Sequence, residues 1–326
     1  MSLGNPDRPI GGIAVRPPEG VELRPLGRGD LQAAVAMARA CRGLPAVDDA
    51  APFRDRFDRL VNSADTNAFL AVADGSPAGL AILQFRRRLN FATFEGWLSD
   101  LYVRPEARGR GIGRALAAAV VAEWRLRGSH RLQVQVPDGA AVAAARATLE
   151  RAGFSEWMVD FRLEPVTAPE VTPPEGVGLR TIGPDDGEAV TRLIAEFGSH
   201  RSPVPDRMAA VLRTYAEHLR AVERGAAHSR IAELEGRPVG VCVMEWREPF
   251  WTDATLAWVH DLVVTEPVRG RGIGRHLMGD ALTAAVERGV QAVLLESGMQ
   301  RETAHRLYRS MGFEGTGRTW VLHREP

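Results

Sequence analysis

The chain has 326 residues, of which 45% are hydrophobic and 25% are charged, and its 41 basic residues balance 41 acidic ones. All the basic residues are arginines, and the absence of lysine excludes a Schiff-base mechanism. Zero net charge argues against nucleic acid or an anionic membrane as a partner, and no apolar run is long enough to span a bilayer. We therefore expect a cytoplasmic protein with two domains and, since it has only two distant cysteines, no metal site.

Periodicity predicts a similar alternation of strands and helices in each half of the chain. In the first half, strands are predicted at 21–25, 68–73, 79–85, 96–103, 132–136 and 154–163, and helices at 31–41, 53–61, 114–127 and 140–152. In the second half, strands are predicted at 177–182, 229–234, 239–246, 254–264, 291–296 and 313–322, and helices at 185–197, 205–223, 276–288 and 302–311.

The two halves carry the same short segments in the same order. PPEGV occurs at 17–21 and again at 173–177, and RGRGIGR occurs at 108–114 and again at 269–275. The copies are 156 and 161 residues apart (173 minus 17, and 269 minus 108). Such a repeat predicts a tandem duplication with two equivalent cores. We place the domains at 13–164 and 176–326, joined by a proline-rich, extended linker at 165–175.

Each RGRGIGR segment lies between a predicted strand and a predicted helix. Glycine permits tight turns with positive φ and leaves no Cβ between the backbone amides and a ligand. The helix that follows presents unpaired N–H groups and the positive end of its dipole. Each segment therefore predicts a site for a phosphate or pyrophosphate. The segment is not a Walker A loop, which requires a lysine.

The pattern Arg-x-x-Gly-x-Gly after a strand resembles the acyl-CoA-binding motif of the GNAT (Gcn5-related) N-acetyltransferases. The resemblance covers nearly the whole chain and implies an α/β fold (an α+β mixed sheet) with two tandem GNAT-like domains. Each domain should be a mixed, mostly antiparallel sheet flanked by helices, with its central strand diverging from a neighbour beyond the loop.

The same resemblance implies acetyl-CoA as the cofactor. Loop amides would hold the pyrophosphate of CoA, and the central strand would bind the pantetheine. The implied cofactor-binding residues of the second half are Leu262, Val263, Val264, Arg269, Gly270, Arg271, Gly272, Ile273, Gly274 and Arg275. Those of the first half are Leu101, Tyr102, Val103, Arg108, Gly109, Arg110, Gly111, Ile112, Gly113 and Arg114.

Two residues of the second half are candidate catalytic groups. Tyr308, four residues before Gly312, falls on the general-acid tyrosine of the family, and its phenol is protonated at neutral pH. His260 lies on the central strand where many relatives carry a glutamate base, and a neutral imidazole can accept a proton. The alternatives are a core tyrosine and a strand histidine hydrogen-bonded to a neighbour such as Asp261.

Other residues are secondary candidates. Glu245 and Glu296 are alternative bases, and the resemblance puts Arg301 and His305 near the cofactor. Four aromatic residues could line an acceptor pocket or simply pack in the core: Trp246, Phe250, Trp251 and Trp258. In this family the acceptor is set by variable loops, here 248–253 and 198–205.

The first half lacks both candidate proton-transfer groups. Leu149 stands at the position of Tyr308, and Ser99 stands at the position of His260. Alternation along a strand further predicts that Ser99 and Asp100 point to opposite faces. We therefore expect a first half that is catalytically silent and still able to bind CoA.

The preferred functional interpretation is an acetyl-CoA-dependent N-acetyltransferase that acts on a small-molecule amine by direct attack in the second half. A mycothiol synthase-like acetyltransferase is an alternative, since the tandem organisation and an arginine-rich, lysine-free composition fit it. A non-catalytic acyl-CoA-binding or regulatory protein and a protein-acetylating enzyme are the others. The acceptor and the oligomeric state are left open.

Overall fold

A computed structural model of the chain describes residues 16–89, 91, 93–139, 142–196 and 205–324, with the backbone alone for 205–207. The first half contains β1 (Val21–Pro25), α1 (Leu31–Cys41), α2 (Arg54–Val61), β2 (Thr66–Ala73), β3 (Ser76–Arg86), β4 (Glu95–Val103), α3 (Ile112–Arg127), β5 (Arg131–Pro137), α4 (Ala143–Arg151) and β6 (Ser155–Leu163). The second half contains β7 (Val177–Thr181), α5 (Gly187–Ala195), α6 (Pro205–Glu223), β8 (Ala227–Leu234), β9 (Arg237–Arg247), β10 (Leu256–Val264), α7 (Ile273–Arg288), β11 (Ala292–Gly298), α8 (Glu302–Ser310) and β12 (Glu314–His323).

All these strands belong to one mixed sheet with the order β1-β2-β3-β4-β5-β12-β6-β11-β10-β9-β8-β7. Only β4 with β5 and β10 with β11 pair in parallel, and the other neighbours are antiparallel. The predicted mixed, mostly antiparallel architecture is therefore confirmed. The two halves share a continuous sheet.

The two halves exchange their last strands at the centre of this sheet. β12, the end of the second half, pairs with β5 of the first half, with Leu322 opposite Leu132. β6, the end of the first half, pairs with β11 of the second half, with Phe161 opposite Leu295. β6 and β12 also pair with each other. Each half therefore pairs with the last strand of the other half. The domain boundaries at 13–164 and 176–326 stay a prediction from the sequence.

The hydrophobic cores that α3 and α7 form against this sheet are equivalent, as the duplication predicts. In the first half, Leu116, Val120 and Trp124 of α3 are buried on one helix face and pack with Trp320 of the exchanged strand β12. In the second half, α7 is buried in the same way and packs with Phe161 of β6. Each core thus contains an aromatic residue supplied by the other half.

The loops before the central strands are also exchanged. Phe250, in the loop between β9 and β10, packs in a core of the first half, with its ring centroid 5.7 Å from that of Phe57. Leu89, in the loop between β3 and β4, packs in a core of the second half. Arg56 donates to the carbonyl oxygens of Asp253 at 2.8 Å and Ala254 at 3.0 Å. These contacts fix the two halves against each other.

Candidate active site

The two glycine loops have the geometry of anion-binding loops. Gly270 and Gly272 have φ values of +79° and +84°, and Gly109 and Gly111 have φ values of +79° and +81°. Gly272 and Gly111 immediately precede α7 and α3, and no side chain caps either helix. The first N–H groups of both helices are therefore available to an anion such as a phosphate.

The central strand of each half has an open edge next to its loop. β10 pairs with β11 only over Leu256–Val259, and continues to Val264 with β9 as its neighbour on the other side. β4 pairs with β5 only over Glu95–Leu98, and continues in the same way to Val103. The backbone of Leu262–Val264 and of Leu101–Val103 thus lies beyond the parallel pairing. The predicted divergence of the central strand is present in both halves.

A cavity of about 1250 Å³ lies between the two halves and is lined by both. Its lining includes His260, Glu245 and Trp258 from the second half, and Ser99 and Trp97 from the first half. It also includes the loop 248–253, whose role in selecting the acceptor stays a prediction. Residues 198–204 of the other predicted acceptor loop lie outside the described residues.

His260 is the extra residue of a β-bulge in β10. The pairing with β9 shifts between Val259 and Asp261, so His260 has no partner residue opposite it. The Nε2 atom of His260 lies 3.0 Å from Oε2 of Glu245, and Nδ1 of His218 lies 3.4 Å from the other carboxylate oxygen of Glu245. Ser229 continues this chain of contacts, 2.8 Å from Nε2 of His218. The partner of His260 is therefore Glu245, and not Asp261 as the alternative interpretation suggested.

The contact with Glu245 selects the tautomer of His260. A carboxylate can only accept, so the hydrogen of the neutral ring is on Nε2 and the lone pair is on Nδ1. The Nδ1 atom is buried and has no hydrogen-bond partner among the described residues. His260 in this state has the lone pair that a general base requires.

Burial, the largest cause, lowers the pKa of His260, and the charges of Arg88 and Arg247 lower it further against the opposing effect of Glu245. Burial would raise the pKa of Glu245, but His260 and the hydrogen bond from His218 outweigh it and hold that pKa well below its usual range. Glu245 keeps 37% side-chain exposure because it faces the cavity. At neutral pH the site therefore contains a neutral histidine beside a carboxylate.

Tyr308 lies in the core of the second half, on the side of α8 that faces the exchanged strand. Its ring centroid is 5.5 Å from that of Phe161 and 6.1 Å from that of Phe313. Burial is the main cause that raises the pKa of Tyr308, so the phenol stays protonated at neutral pH. The hydroxyl forms no hydrogen bond within the described part of the chain, and Tyr308 is 5% exposed.

The first half carries a different set of groups at the matching positions. Ser99 is the bulge residue of β4, and its hydroxyl donates to Asp100 at 2.8 Å. The expectation that Ser99 and Asp100 point to opposite faces is wrong, because the bulge interrupts the alternation. Leu149 is buried in the core of the first half. Trp251 of the second half lies 4.3 Å from the guanidinium of Arg42, which donates to Asp100.

The secondary candidates divide between the cavity and the core. Glu296 accepts from Gln133 and Thr319 at the centre of the sheet, and His305 packs on Phe161 at 5.1 Å. Phe250, Trp251 and Trp258 line the cavity, whereas Trp246 packs against the second core. Sequence patterns missed three arginines near His260, namely Arg86, Arg88 and Arg247. Arg86 and Arg247 stand 161 residues apart, as Trp97 and Trp258 do, so the repeat offset was the signal that could have found them.

The fold, the paired glycine loops and the open edges define an acetyltransferase. A profile of the family described as "Acetyltransferase (GNAT) family" matches residues 33–154 and 192–313, and the chain belongs to this family. It is an acetyl-CoA-dependent N-acetyltransferase with two tandem GNAT domains.

Several relatives of this chain are mycothiol acetyltransferases. The protein of that name from Thermomonospora curvata is 30% identical over 82% of this chain and 85% of its own length. The one from Thermobispora bispora is 29% identical over 78% of this chain and 86% of its own length. The match therefore extends over both halves of these proteins.

Solved structures share the tandem fold. A GCN5-related N-acetyltransferase from Sphaerobacter thermophilus has a TM-score of 0.64 at 24% identity, with 95% of this chain and 96% of that chain covered. A tandem GNAT protein from the clavulanic acid biosynthesis pathway has a TM-score of 0.61 at 20% identity, with 94% and 99% covered. At these identities the likeness extends to the fold alone.

Among the described residues, no helix has both the length and the apolar character that crossing a bilayer requires. No group of three or more histidine, cysteine, aspartate or glutamate side chains in the same residues is arranged to hold a metal ion.

Proposed function

We propose that the second half transfers the acetyl group of acetyl-CoA to the amine of a small molecule held in the central cavity, and that the first half is catalytically silent. The observation that carries this proposal is the contact between His260 and Glu245 on the cavity wall at 3.0 Å. The first half has only a serine at the equivalent bulge position.

The chain offers a consistent binding surface for acetyl-CoA in the second half. Backbone amides at Gly270–Gly274 would hold the pyrophosphate at the start of α7. The open edge of β10 at Leu262, Val263 and Val264 would pair with the pantetheine amides. Arg269 stabilises the loop itself, since its Nε donates to the carbonyl oxygen of Val264 at 2.9 Å.

Acetyl-CoA, when bound, supplies an acetyl thioester with a thiolate leaving group. His260 would take a proton from the acceptor ammonium by way of Glu245, whose carboxylate faces the cavity and would stabilise the imidazolium that results. Tyr308 would deliver its phenolic proton to the departing sulfur. The new bond would join the amine nitrogen to the acetyl carbon as the carbon–sulfur bond breaks, and the second proton that the nitrogen loses would restore the phenol of Tyr308.

The experiment is a screen of primary amines with acetyl-CoA, monitored by the release of free thiol. The wild-type protein should acetylate at least one amine, and His260→Gln should lose that activity while the protein remains folded. A wild-type protein that releases no thiol above hydrolysis with any amine, or a fully active His260→Gln variant, would contradict the proposal.

A second candidate function is the mycothiol acetyltransferase reaction. It is favoured by the relatives of that name, which match this chain over both halves. The direct test is the amine that becomes mycothiol on acetylation, offered as acceptor at equal concentration with the other amines. If it is acetylated with a kcat/KM no higher than that of unrelated amines, the chain has another acceptor.

A further inference from the structure

One arginine of the central cavity, Arg247, has neither a carboxylate nor a carbonyl partner among the described residues. Most of the other cavity arginines bind a carboxylate, as Arg88 binds Asp261 and Arg87 binds Glu217. Arg39 and Arg56 donate to backbone carbonyls instead. Arg247 does neither within the described residues, and its closest polar contact is Nε2 of His260 at 3.4 Å. Because Nε2 carries the ring hydrogen, this contact is not a hydrogen bond.

Arg247 is nevertheless held in a fixed place. Its guanidinium carbon lies 4.8 Å from the ring centroid of Trp97 and 4.7 Å from that of Trp258, one indole from each half. Arg247 is half-buried, so part of its guanidinium faces the cavity. A fixed guanidinium presents its N–H donors in the planar geometry that matches a carboxylate or phosphate.

The electrostatic surroundings of Arg247 are unfavourable without an anion. Burial and the nearby charge of Arg86 lower the pKa of Arg247 to about 9. The charge of Arg86 is only partly neutralised, because its partner Glu95 also binds Arg131. The charges of Glu245 and Glu296 oppose this effect in part, but both oxygens of Glu245 are engaged by His218 and His260, and Glu296 accepts from Gln133. An incoming anion would therefore meet a guanidinium that no carboxylate contacts among the described residues.

We propose that Arg247 binds an anionic group of the acceptor, so that the acceptor is an amine carrying a carboxylate or a phosphate. This inference rests on the proposed function, since it assigns the acceptor class of the same cavity. The contact between Arg247 and His260 places the anionic group only a few bonds from the amine. The acceptors that fit are amino acids and amino phosphates.

The binding test uses inorganic phosphate and acetate as probes, at an ionic strength held constant with sodium chloride. Intrinsic fluorescence should respond, because Trp97 and Trp258 flank the guanidinium. We expect a saturable change in the wild-type protein that is lost in Arg247→Gln and kept in Arg87→Gln, a variant of another cavity arginine. The tighter of the two probes identifies the preferred anion. Equal responses in wild type and Arg247→Gln, or none in either, would overturn the proposal.

The kinetic test compares matched acceptors, namely L-serine with L-serinamide and O-phosphoethanolamine with ethanolamine. The charged member of a pair should have the lower KM, and Arg247→Gln should raise that KM about 10–100-fold with little change for the neutral member. A lower KM for the neutral members in the wild-type protein would overturn the proposal. If no amine is acetylated but Arg247-dependent anion binding persists, the proposed function fails for these acceptors and the anion site stands.

Discussion

Arg88, a residue of the first half, donates from Nη2 to the backbone carbonyl oxygen of His260 at 2.8 Å. The same nitrogen lies 3.4 Å from the carboxylate of Asp261. Arg88 thus fixes the bulge that presents His260, and it does so from the half that carries Ser99 at the equivalent bulge. In the first half Arg42 makes the same pair of contacts, to the carbonyl oxygen of Ser99 at 3.2 Å and to Asp100 at 2.5 Å.

This pair provides a matched test of a positioning role. Arg88→Met removes a positive charge beside His260, which favours the imidazolium and should raise the pKa of His260. The acidic limb of the profile of kcat/KM against pH should therefore move to higher pH. Arg42→Met disrupts the equivalent pair beside Ser99, and its only contact with the second half is the ring of Trp251 among the described residues, so it should leave the limb in place. Arg88→Lys keeps the charge and should restore most of the wild-type profile. Identical limbs in Arg88→Met and wild type would show that Arg88 has no such role.

The protonation state of His260 predicts the pH dependence of the wild-type protein. Its pKa lies below the ordinary value of 6.5, so kcat/KM should be constant at neutral pH and fall only below that value. His260→Gln should lower kcat/KM by about 10²–10⁴-fold and remove this limb. The unfolded chain binds this proton more readily, so the associated stability is present above about pH 6.5 and is lost as the pH falls through the folded pKa. Thermal melting of both proteins across this range checks the second effect.

Tyr308 should act on the leaving group and not on binding. Tyr308→Phe keeps the ring contacts with Phe161 and Phe313 and removes the proton, so kcat should fall by about 10²–10⁴-fold. The affinity for CoA, measured by calorimetry, should stay within about twofold. Leu149→Met, the matched position of the first half, should leave kcat unchanged. A Tyr308→Phe variant with normal turnover would make the tyrosine a core residue only.

The two glycine loops allow the roles of the halves to be separated. Gly272→Asp places a charge where the phosphate should bind, and Gly111→Asp does the same in the first half. An added Cβ meets Pro174 at 3.6 Å at Gly272, and Pro18 at 3.3 Å and Arg114 at 3.9 Å at Gly111. Both glycines have a positive φ, so the two variants share the same backbone strain. Gly272→Asp should abolish turnover, whereas Gly111→Asp should remove only CoA binding to the first half. If Gly111→Asp were the inactive one in a folded protein, the assignment of the active half would be reversed.

Local features of the fold could be predicted from the sequence because they depend on nearby residues. The glycines at 270 and 272 require positive φ, and apolar periodicity at Leu116, Val120 and Trp124 fixes the buried face of α3. The exchange of β6 and β12 could not be predicted in this way. Both strands have suitable partners in either half, and the choice between them depends on contacts far apart in the chain.

The candidate site likewise combines residues that the sequence could indicate with contacts that it could not. His260 and Glu245 could be nominated because each lies on a strand that the repeat identifies. Their contact depends on a bulge, which no residue pattern around His260 signals. The role of Arg88 depends on its contact with the other half, and one arginine in a chain with 41 of them carries no signal of that contact. The repeat offset marks Arg247 as the equivalent of Arg86 but does not reveal its surroundings.

The exchanged strands have a consequence for the synthesis of the protein. The first half cannot place a neighbour beside β5 until β12, which ends at His323, has left the ribosome. Nascent chains commonly fold from the N-terminus, one domain at a time. Here one edge of β5 stays unpaired until almost the whole chain has been synthesised. An unpaired strand edge can pair with other chains. We therefore expect chains truncated before Glu314 to aggregate and to depend on chaperones, although they contain the first half in full.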